Sequence, residues 1–214
     1  MKITRIALLL LMSMAFAQSS NAQASDKLFK SRGYSLQWSK IPIESSSFTG
    51  GIIEDRLNYV GIGYSFNLRY TLAQLSDNAS VGLSAGLTAA LDCSYGSESF
   101  RYSEAYGSVY APIHVDYNIG AGSTYDSDKD SGFGIGIGLT PSYLPIVGGR
   151  DLTKLRLSPS VKLSIRSYKA GSNSLREYFI RLDRLPNNIE TAPINSDDSL
   201  PFTLTIGRSK IIGY

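Results

Sequence analysis

The sequence predicts an all-β protein that folds as a single closed antiparallel up-and-down β-barrel of about eight strands. Two observations support this fold class: apolar and polar residues alternate along most of the chain, and no amphipathic helical pattern lies between the alternating segments. The clearest alternation runs from Val81 to Tyr95, where eight consecutive odd positions are apolar or aromatic. Successive side chains of a strand point to opposite faces, so this pattern predicts a strand with one apolar face.

The same alternation defines every predicted strand and leaves links of unequal length between them. The eight strands are predicted at about 34–38, 64–72, 81–95, 109–119, 133–139, 155–165, 178–182 and 202–214. The links at 76–78 and 169–174 are short, those at 41–56, 96–106, 144–154 and 186–200 are long, and 120–131 is of middle length. Short turns at one rim and long loops at the other are typical of transmembrane barrels, and an even strand count places both chain ends at the short-turn rim. Within the strand at 155–165, Pro159 predicts a bulge or bend, because proline removes one donor from the ladder.

The first 24 residues differ in kind from the rest of the chain. Lys2 and Arg5 precede an apolar run at 6–17, and small residues follow at the spacing that a signal peptidase recognises. The apolar run is too short to span a bilayer as a permanent helix. We therefore expect a signal peptide at 1–24, cleaved after Ala24 or alternatively after Ala17, and a β-barrel domain at 25–214.

The composition of the remaining chain excludes several classes of protein. Removing residues 1–24 leaves 19 basic and 18 acidic residues, so the charge gives no indication of nucleic-acid binding. The chain has one cysteine, Cys93, which excludes an intramolecular disulfide framework. Its position in an apolar run indicates that it acts as a small hydrophobic residue. Sheet closure and packing must therefore hold the fold together.

Alternation alone leaves open whether the apolar face points into a soluble core or out into lipid. Four alternating glycines at 132–138 favour lipid outside, because small residues on a lumen-facing strand leave room for long side chains on others. We therefore predict that the charged and polar residues of the other strands form a network in the lumen. Its predicted members are Arg69, His114, Asp116, Arg156, Lys162, Arg166, Glu177, Arg181 and Asp183.

Aromatic residues near the predicted strand ends also favour a bilayer, where tyrosine and tryptophan prefer the interfacial levels. These residues are Tyr34, Tyr59, Tyr64, Tyr95, Tyr117, Tyr143, Tyr168 and Tyr214. Arg208 and Lys210 share the apolar face of the last strand. A charge that faces lipid is inexpensive only near an interface, so we expect both near the periplasmic rim, or else beside a bulge.

These features together resemble the small eight-stranded outer-membrane β-barrel proteins of Gram-negative bacteria. The resemblance covers nearly all of the mature chain, and the stretches at 61–70 and 120–125 carry it locally. It implies that the protein is located in the outer membrane and contacts outer-membrane lipid. It also implies that the barrel assembly machinery recognises the aromatic C-terminal residue, Tyr214. It further implies that the long loops could contact a surface ligand.

Neither of the two candidate chemical sites in the sequence has a distinctive setting. Asp126, Asp128 and Asp130 are spaced like the start of a calcium loop, but position six is Ser131 and position twelve is Ile137, so an ordinary turn is expected. His114 and Asp116 lie on one face, as a lipid A-modifying barrel enzyme would require. We expect no metal, no cofactor and no turnover, but a structural or surface-interaction role. The alternatives are a soluble periplasmic or secreted lipocalin-like barrel that binds an apolar ligand, and a lipid A-modifying enzyme.

Overall fold

Nine β-strand segments form one antiparallel sheet in the computed structural model, which describes residues 27–46, 52–95, 105–143, 155–168, 174–184 and 202–212. The strands are β1 (Leu28–Ser46), β2 (Ile52–Ser76), β3 (Ala79–Tyr95), β4 (Ala105–Tyr110), β5 (Ile113–Gly120), β6 (Ser131–Tyr143), β7 (Leu155–Tyr168), β8 (Leu175–Arg184) and β9 (Phe202–Ile212). No helix among the described residues is long and apolar enough to cross a membrane.

Strands β4 and β5 are two halves of one strand, interrupted at Ala111 and Pro112. The register with β3 is the same on both sides of the interruption, from Thr88↔Tyr110 to Ala85↔Ile113. Proline has no backbone N–H, so the ladder breaks where this strand has neighbours on both sides. The Pro112 carbonyl still accepts a hydrogen bond from the Gly86 N–H at 2.8 Å, and this bond preserves the alignment.

The sheet closes into a ring of eight strands. Each strand pairs with its neighbours in sequence, and β9 pairs with β1 from Lys30↔Ile212 to Lys40↔Phe202. The predicted fold class is therefore confirmed, and each of the eight predicted strands is found. Residues 1–26 lie outside the described residues, so the signal peptide stays a prediction.

Two local predictions about the strands are wrong. The long link expected at 41–56 is mostly strand, because β1 and β2 continue to pair without a register shift as far as Ser46↔Ile52. Backbone hydrogen bonds between β1 and β2 form this extension, and the sequence there lacks the apolar–polar alternation that predicts a strand. The bulge predicted at Pro159 does not occur, because Pro159 pairs with Leu139 in regular register, and the alternative of a local bend stays a prediction. The ladder between β7 and β8 begins at the next residue, Ser160, so the missing proline donor falls at the end of that ladder.

Apolar side chains cover the outside of the described barrel, and polar ones fill its interior. Six apolar residues from three of the predicted strands are all exposed, the most exposed being Leu91 at 74%; the others are Leu83, Leu87, Ile135, Ile137 and Leu163. Tyr34, Tyr64, Tyr117 and Tyr143 also face outward. Tyr59 is an exception to the predicted aromatic belt, because its odd position on β2 turns it into the lumen, where it is buried. The Tyr95 side chain and Tyr214 lie outside the described residues.

The two ends of the barrel differ in their connections. One end carries the turn at Asp77 and Asn78, the start of β1 and the end of β9, and we call it the short-turn end. Lys210 lies two residues from the end of β9 in a continuous ladder, so Arg208 and Lys210 are near this end, as predicted, and no bulge is involved. The opposite end, from which the chain leaves β3, β6 and β8, is called the long-link end.

Candidate functional site in the polar lumen

The structure places all nine residues of the predicted network on the inner face of the barrel. Eight are buried, Arg166 completely and Asp183 to 1% exposure, and Lys162 is partly buried. They lie on β2, β5, β7 and β8, because the alternation of these strands directs every second residue inward. Among the described residues the interior charges are of both signs, which buried charges require for mutual compensation.

The four glycines of β6 allow side chains from the strands on either side to meet inside the barrel. Gly138 pairs with His114 on β5 and with Ser160 on β7, and the His114 Nε2 and Ser160 Oγ atoms share a hydrogen bond of 2.8 Å. A Cβ atom at Gly134 would lie only 2.6 Å from Ser164 Oγ and 2.8 Å from Asn118 Oδ1. A Cβ atom at Gly136 would collide with the Asp116 carboxylate. The glycines therefore provide the space that the polar side chains occupy.

An ion pair and neutral donors occupy the long-link half of the lumen. Arg181 Nε donates to Asp183 Oδ2 at 2.9 Å, and both side chains are almost completely buried. Thr140 Oγ1 donates to the other carboxylate oxygen of Asp183 at 2.7 Å. Arg181 also donates to Thr205 Oγ1 at 3.2 Å and faces the Tyr110 ring, 5.8 Å from its centroid. This arrangement satisfies both charges with side-chain partners.

Further polar contacts lie around this ion pair. Gln37 Nε2 donates to Asp92 Oδ1 and to Ser108 Oγ, which links β1 to β3 and β4 across the interior. Ser39 and Thr203 share a hydrogen bond of 2.8 Å between the first and last strands. Arg156 is buried near the same end of β7. Strands distant in the sequence are thus joined through the lumen as well as through the ladders.

A second ion pair occupies the middle of the lumen. Lys162 Nζ lies 3.3 Å from Glu177 Oε1, and the ammonium group is 5.7 Å from the centroid of the Phe179 ring. Ser209 Oγ donates to the other oxygen of Glu177 at 3.4 Å. A buried pair of this kind compensates its charges but adds little net stability, because removing both ions from water is costly.

The middle-length link after β5 folds inward and closes the short-turn end. Residues Ala121 to Tyr125, which we call the plug, enter the barrel mouth, and the first four are buried. Arg69 Nη2 and Arg166 Nη1 both donate to the carbonyl oxygen of Gly122, the latter at 2.8 Å. Arg166 donates in addition to the Phe133 carbonyl at 2.7 Å. Two cations are therefore held here by backbone acceptors.

Apolar contacts fix the plug in place. Ala121 packs in a small buried cluster with Phe29, Leu175 and Ile211, residues from the ends of β1, β8 and β9. Tyr125 stacks on Phe29 with ring centroids 4.6 Å apart, and its hydroxyl donates to the Leu28 carbonyl at 2.9 Å. Gly120 and Gly122 adopt φ angles of 72° and 64°, values that side chains disfavour, and so let the chain turn inward.

Sequence reasoning missed the plug and several uncharged members of the network. The Gly122 carbonyl is a backbone group, which no pattern of residue types reveals. The two glycines around Ala121 were a signal for an unusual turn, and this link was already exceptional for its length. Gln37, Thr140 and Ser160 were not singled out, although all three lie on the inward face of their strands.

Two small cavities lie in the described part of the lumen. A cavity of about 20 Å³ lies beside His114, Lys162 and Phe179, and a second of similar size lies beside Arg69 and Glu177. Each has room for about one water molecule. The His114 and Ser160 pair resembles a base and a nucleophile, but both residues are at least 96% buried. Neither cavity could admit a lipid to that pair.

The acidic link residues do not assemble a metal site among the described residues. Asp126, Asp128 and Asp130 are exposed on the surface, and Asp128 pairs with Lys129 at 3.5 Å. No group of three or more histidine, cysteine, aspartate or glutamate side chains in the described ranges is arranged to hold a metal ion. That this link is an ordinary turn and not a calcium loop stays a prediction.

Comparisons with known proteins identify similar solved structures at low sequence identity. No protein-family model matches the chain, and no curated protein matches it in sequence. The outer membrane protein OprG from Pseudomonas aeruginosa is similar with a TM-score of 0.49 and 10% identity over 88% of this chain and 97% of that one. Neisserial surface protein A (NspA) gives 0.47 and 10%, over 87% and 97%. Ail, the attachment invasion locus protein of Yersinia pestis, was solved with the heparin analogue sucrose octasulfate and gives 0.43 and 13%, over 87% and 98%.

Proposed function

We propose that this protein is a transmembrane β-barrel of the Gram-negative outer membrane with a structural or surface-interaction role and no catalytic turnover. The observation that carries the proposal is the distribution of side chains: apolar groups are exposed around the described barrel, and charged groups are buried inside it. Such a surface is unfavourable in water and favourable in hydrocarbon, because the transfer of apolar area out of water lowers the free energy. Insertion would require the outer-membrane barrel assembly machinery.

The same distribution disfavours the two alternatives. A lipocalin-like barrel needs an apolar interior for its ligand, whereas this interior contains the Arg181–Asp183 and Lys162–Glu177 pairs. A lipid A-modifying enzyme needs a nucleophile and base that reach lipid, whereas His114 and Ser160 face the packed lumen. If the enzyme hypothesis were correct, the His114→Ala variant would lose lipid A remodelling that the wild type performs.

The single tryptophan provides a direct test of membrane embedding. Trp38 lies on the outer face of β1, 39% exposed and 5.2 Å from the Phe202 ring centroid. In vesicles whose acyl chains carry bromine, we expect strong quenching of Trp38 fluorescence, together with heat-modifiable migration on a denaturing gel. Trp38→Phe/Tyr59→Trp is the matched control, because its tryptophan faces the lumen and should be quenched weakly. A native protein that stays in solution without detergent, with Trp38 unquenched by the lipid, would contradict the proposal.

The surface role assigned to the long links has a separate test. An epitope inserted at 186–200, between β8 and β9, should bind antibody on intact cells, whereas an epitope in the turn at Asp77 and Asn78 should bind only after the outer membrane is opened. Short turns face the periplasm and long loops the exterior in barrels of this type. The reverse accessibility would refute an exterior location for the long links.

A further inference from the structure

A group of basic side chains lies on the outer wall of the barrel near the short-turn end. It comprises Lys30, Arg32, Arg176, Arg208 and Lys210, and we call it the terminal basic patch. Three of these residues are exposed and two are partly exposed. They occupy β8, β9 and β1, three strands that are adjacent because the ring closes through the β1–β9 pair. The patch therefore exists only in the closed barrel.

Cross-strand register brings three of these cations into one row. Lys210 pairs with Arg32 on one side and with Arg176 on the other. Neighbouring strands are about 4.8 Å apart, so the row spans roughly 10 Å. Like charges directly opposite each other destabilise a sheet, and the effect is stronger where solvent screening is poor. A row of three cations on an apolar wall therefore calls for an anion.

No carboxylate of the described chain supplies that anion. The outward-facing positions described on β1, β8 and β9 contain no acidic residue, and Glu177 and Asp183 point into the lumen. The exposed carboxylates at this end belong to the β2–β3 turn and to the link before β6, on other parts of the rim. The partner of the patch is therefore external to the described strands.

Two exposed tyrosines beside the row indicate the depth at which this partner lies. Arg208 pairs across the strands with Tyr34 and with Tyr178, and its guanidinium lies 5.8 Å from the centroid of the Tyr178 ring. Tyrosine at the edge of an apolar wall marks the interfacial level, and long basic side chains reach from the wall toward the head groups. Arginine binds phosphate through two parallel hydrogen bonds.

We propose that the terminal basic patch binds the phosphodiester head group of an anionic phospholipid in the leaflet at the short-turn end. The row Arg32–Lys210–Arg176 contacts the phosphate, and Tyr34 and Tyr178 pack against the glycerol and upper acyl region. The inference rests on the proposed membrane embedding. It adds a specific lipid site, formed by β1, β8 and β9, to an outer wall that is mostly apolar.

Spin-labelled lipids measure this selectivity directly. Wild-type protein in phosphatidylcholine vesicles should retain spin-labelled phosphatidylglycerol in preference to spin-labelled phosphatidylcholine. In Arg32→Gln/Lys210→Gln the preference should fall roughly tenfold, because two cations near the head groups are removed. Arg32→Lys/Lys210→Arg keeps both charges and should keep the preference. This second variant also separates loss of charge from disruption of the strands.

The matched control removes one lysine and one arginine from the other end of the same wall. Lys40 and Arg184 both pair with Phe202 near the long-link end, and Lys40→Gln/Arg184→Gln should retain the wild-type preference. An equal loss in this control, or a wild type that does not discriminate between the two lipids, would overturn the proposal; the second result would favour an acidic protein as the partner. Trp38 quenching by brominated lipid is recorded for every sample, so failure of membrane embedding is distinguished from failure of lipid selectivity.

Discussion

The two ends of the lumen compensate the charges of their buried arginines with different groups. At the long-link end, the charge of Arg181 is compensated by the Asp183 carboxylate and by neutral donors and acceptors around the pair. At the short-turn end, Arg69 and Arg166 converge on one backbone carbonyl, that of Gly122. The first arrangement depends on a partner of opposite charge. The second depends on the conformation of the plug.

This difference predicts different weaknesses. An ion pair fails when one side chain is removed, because the partner remains as a buried uncompensated charge. The plug arrangement tolerates the loss of one arginine, because the carbonyl keeps the other as its donor. It fails when the backbone turn itself is prevented from forming, since both arginines then lose their shared acceptor.

The largest effect is expected for Gly120→Ala, which acts on that turn. Gly120 has a φ of 72°, and a Cβ atom there would collide with the Ser131 carbonyl and lie 3.0 Å from Gly132 Cα. The strain and the loss of Gly122 as an acceptor should lower the free energy of unfolding by about 4 kcal/mol. Denaturant titration of the vesicle-inserted protein, followed by Trp38 fluorescence, measures this change.

Gly107→Ala is the control for this substitution. Gly107 faces outward on β4, and a Cβ atom there would meet only the Ala90 carbonyl at 3.9 Å. Alanine should therefore be tolerated at Gly107 with a change of at most about 0.5 kcal/mol. Equal destabilisation by the two substitutions would show that the plug conformation is unimportant and would remove the contrast between the two ends.

The outer wall and most of the lumen could be predicted from the sequence because alternation encodes them directly. Each of the nine predicted network residues occupies a position that its strand turns inward. The uncharged partners were harder to foresee, because serine and threonine are common on either face. The sequence predicts an interfacial Tyr59 because aromatics are frequent there, but β2 begins before the predicted start at 64, and the odd position of Tyr59 on this extension directs it into the lumen.

The plug and the irregular strand could not be predicted, because both depend on the neighbours that the ring supplies. Pro112 breaks its strand between β3 and β6, whereas Pro159 pairs regularly and sits where the β8 ladder begins. The same residue type therefore has opposite consequences in two neighbouring parts of the sheet. Likewise, the link after β5 turns inward because Ala121 packs against Phe29, Leu175 and Ile211. These three residues come together only when the ring is closed.

A pair of single substitutions compares the loss of one buried arginine at each end of the lumen. Arg181→Met and Arg166→Met each replace a buried arginine by an uncharged side chain of comparable length. The first leaves Asp183 with Thr140 as its remaining described donor, so the free energy of unfolding should fall by about 3 kcal/mol. The Arg181→Met/Asp183→Leu double variant, which removes both charges, should recover most of that loss.

Arg166→Met should cost about 1 kcal/mol, because Gly122 keeps Arg69 as a donor, while the hydrogen bond from Arg166 to the Phe133 carbonyl is lost. Arg166 also lies across the strands from Glu177, so its removal loses an attraction to that carboxylate and relieves a repulsion with Arg69, and the two effects oppose each other. The same denaturant titration compares the two variants under one set of conditions. If Arg166→Met were as damaging as Arg181→Met, the shared carbonyl would not act as a redundant acceptor, and the plug would need both arginines to stay in the barrel mouth.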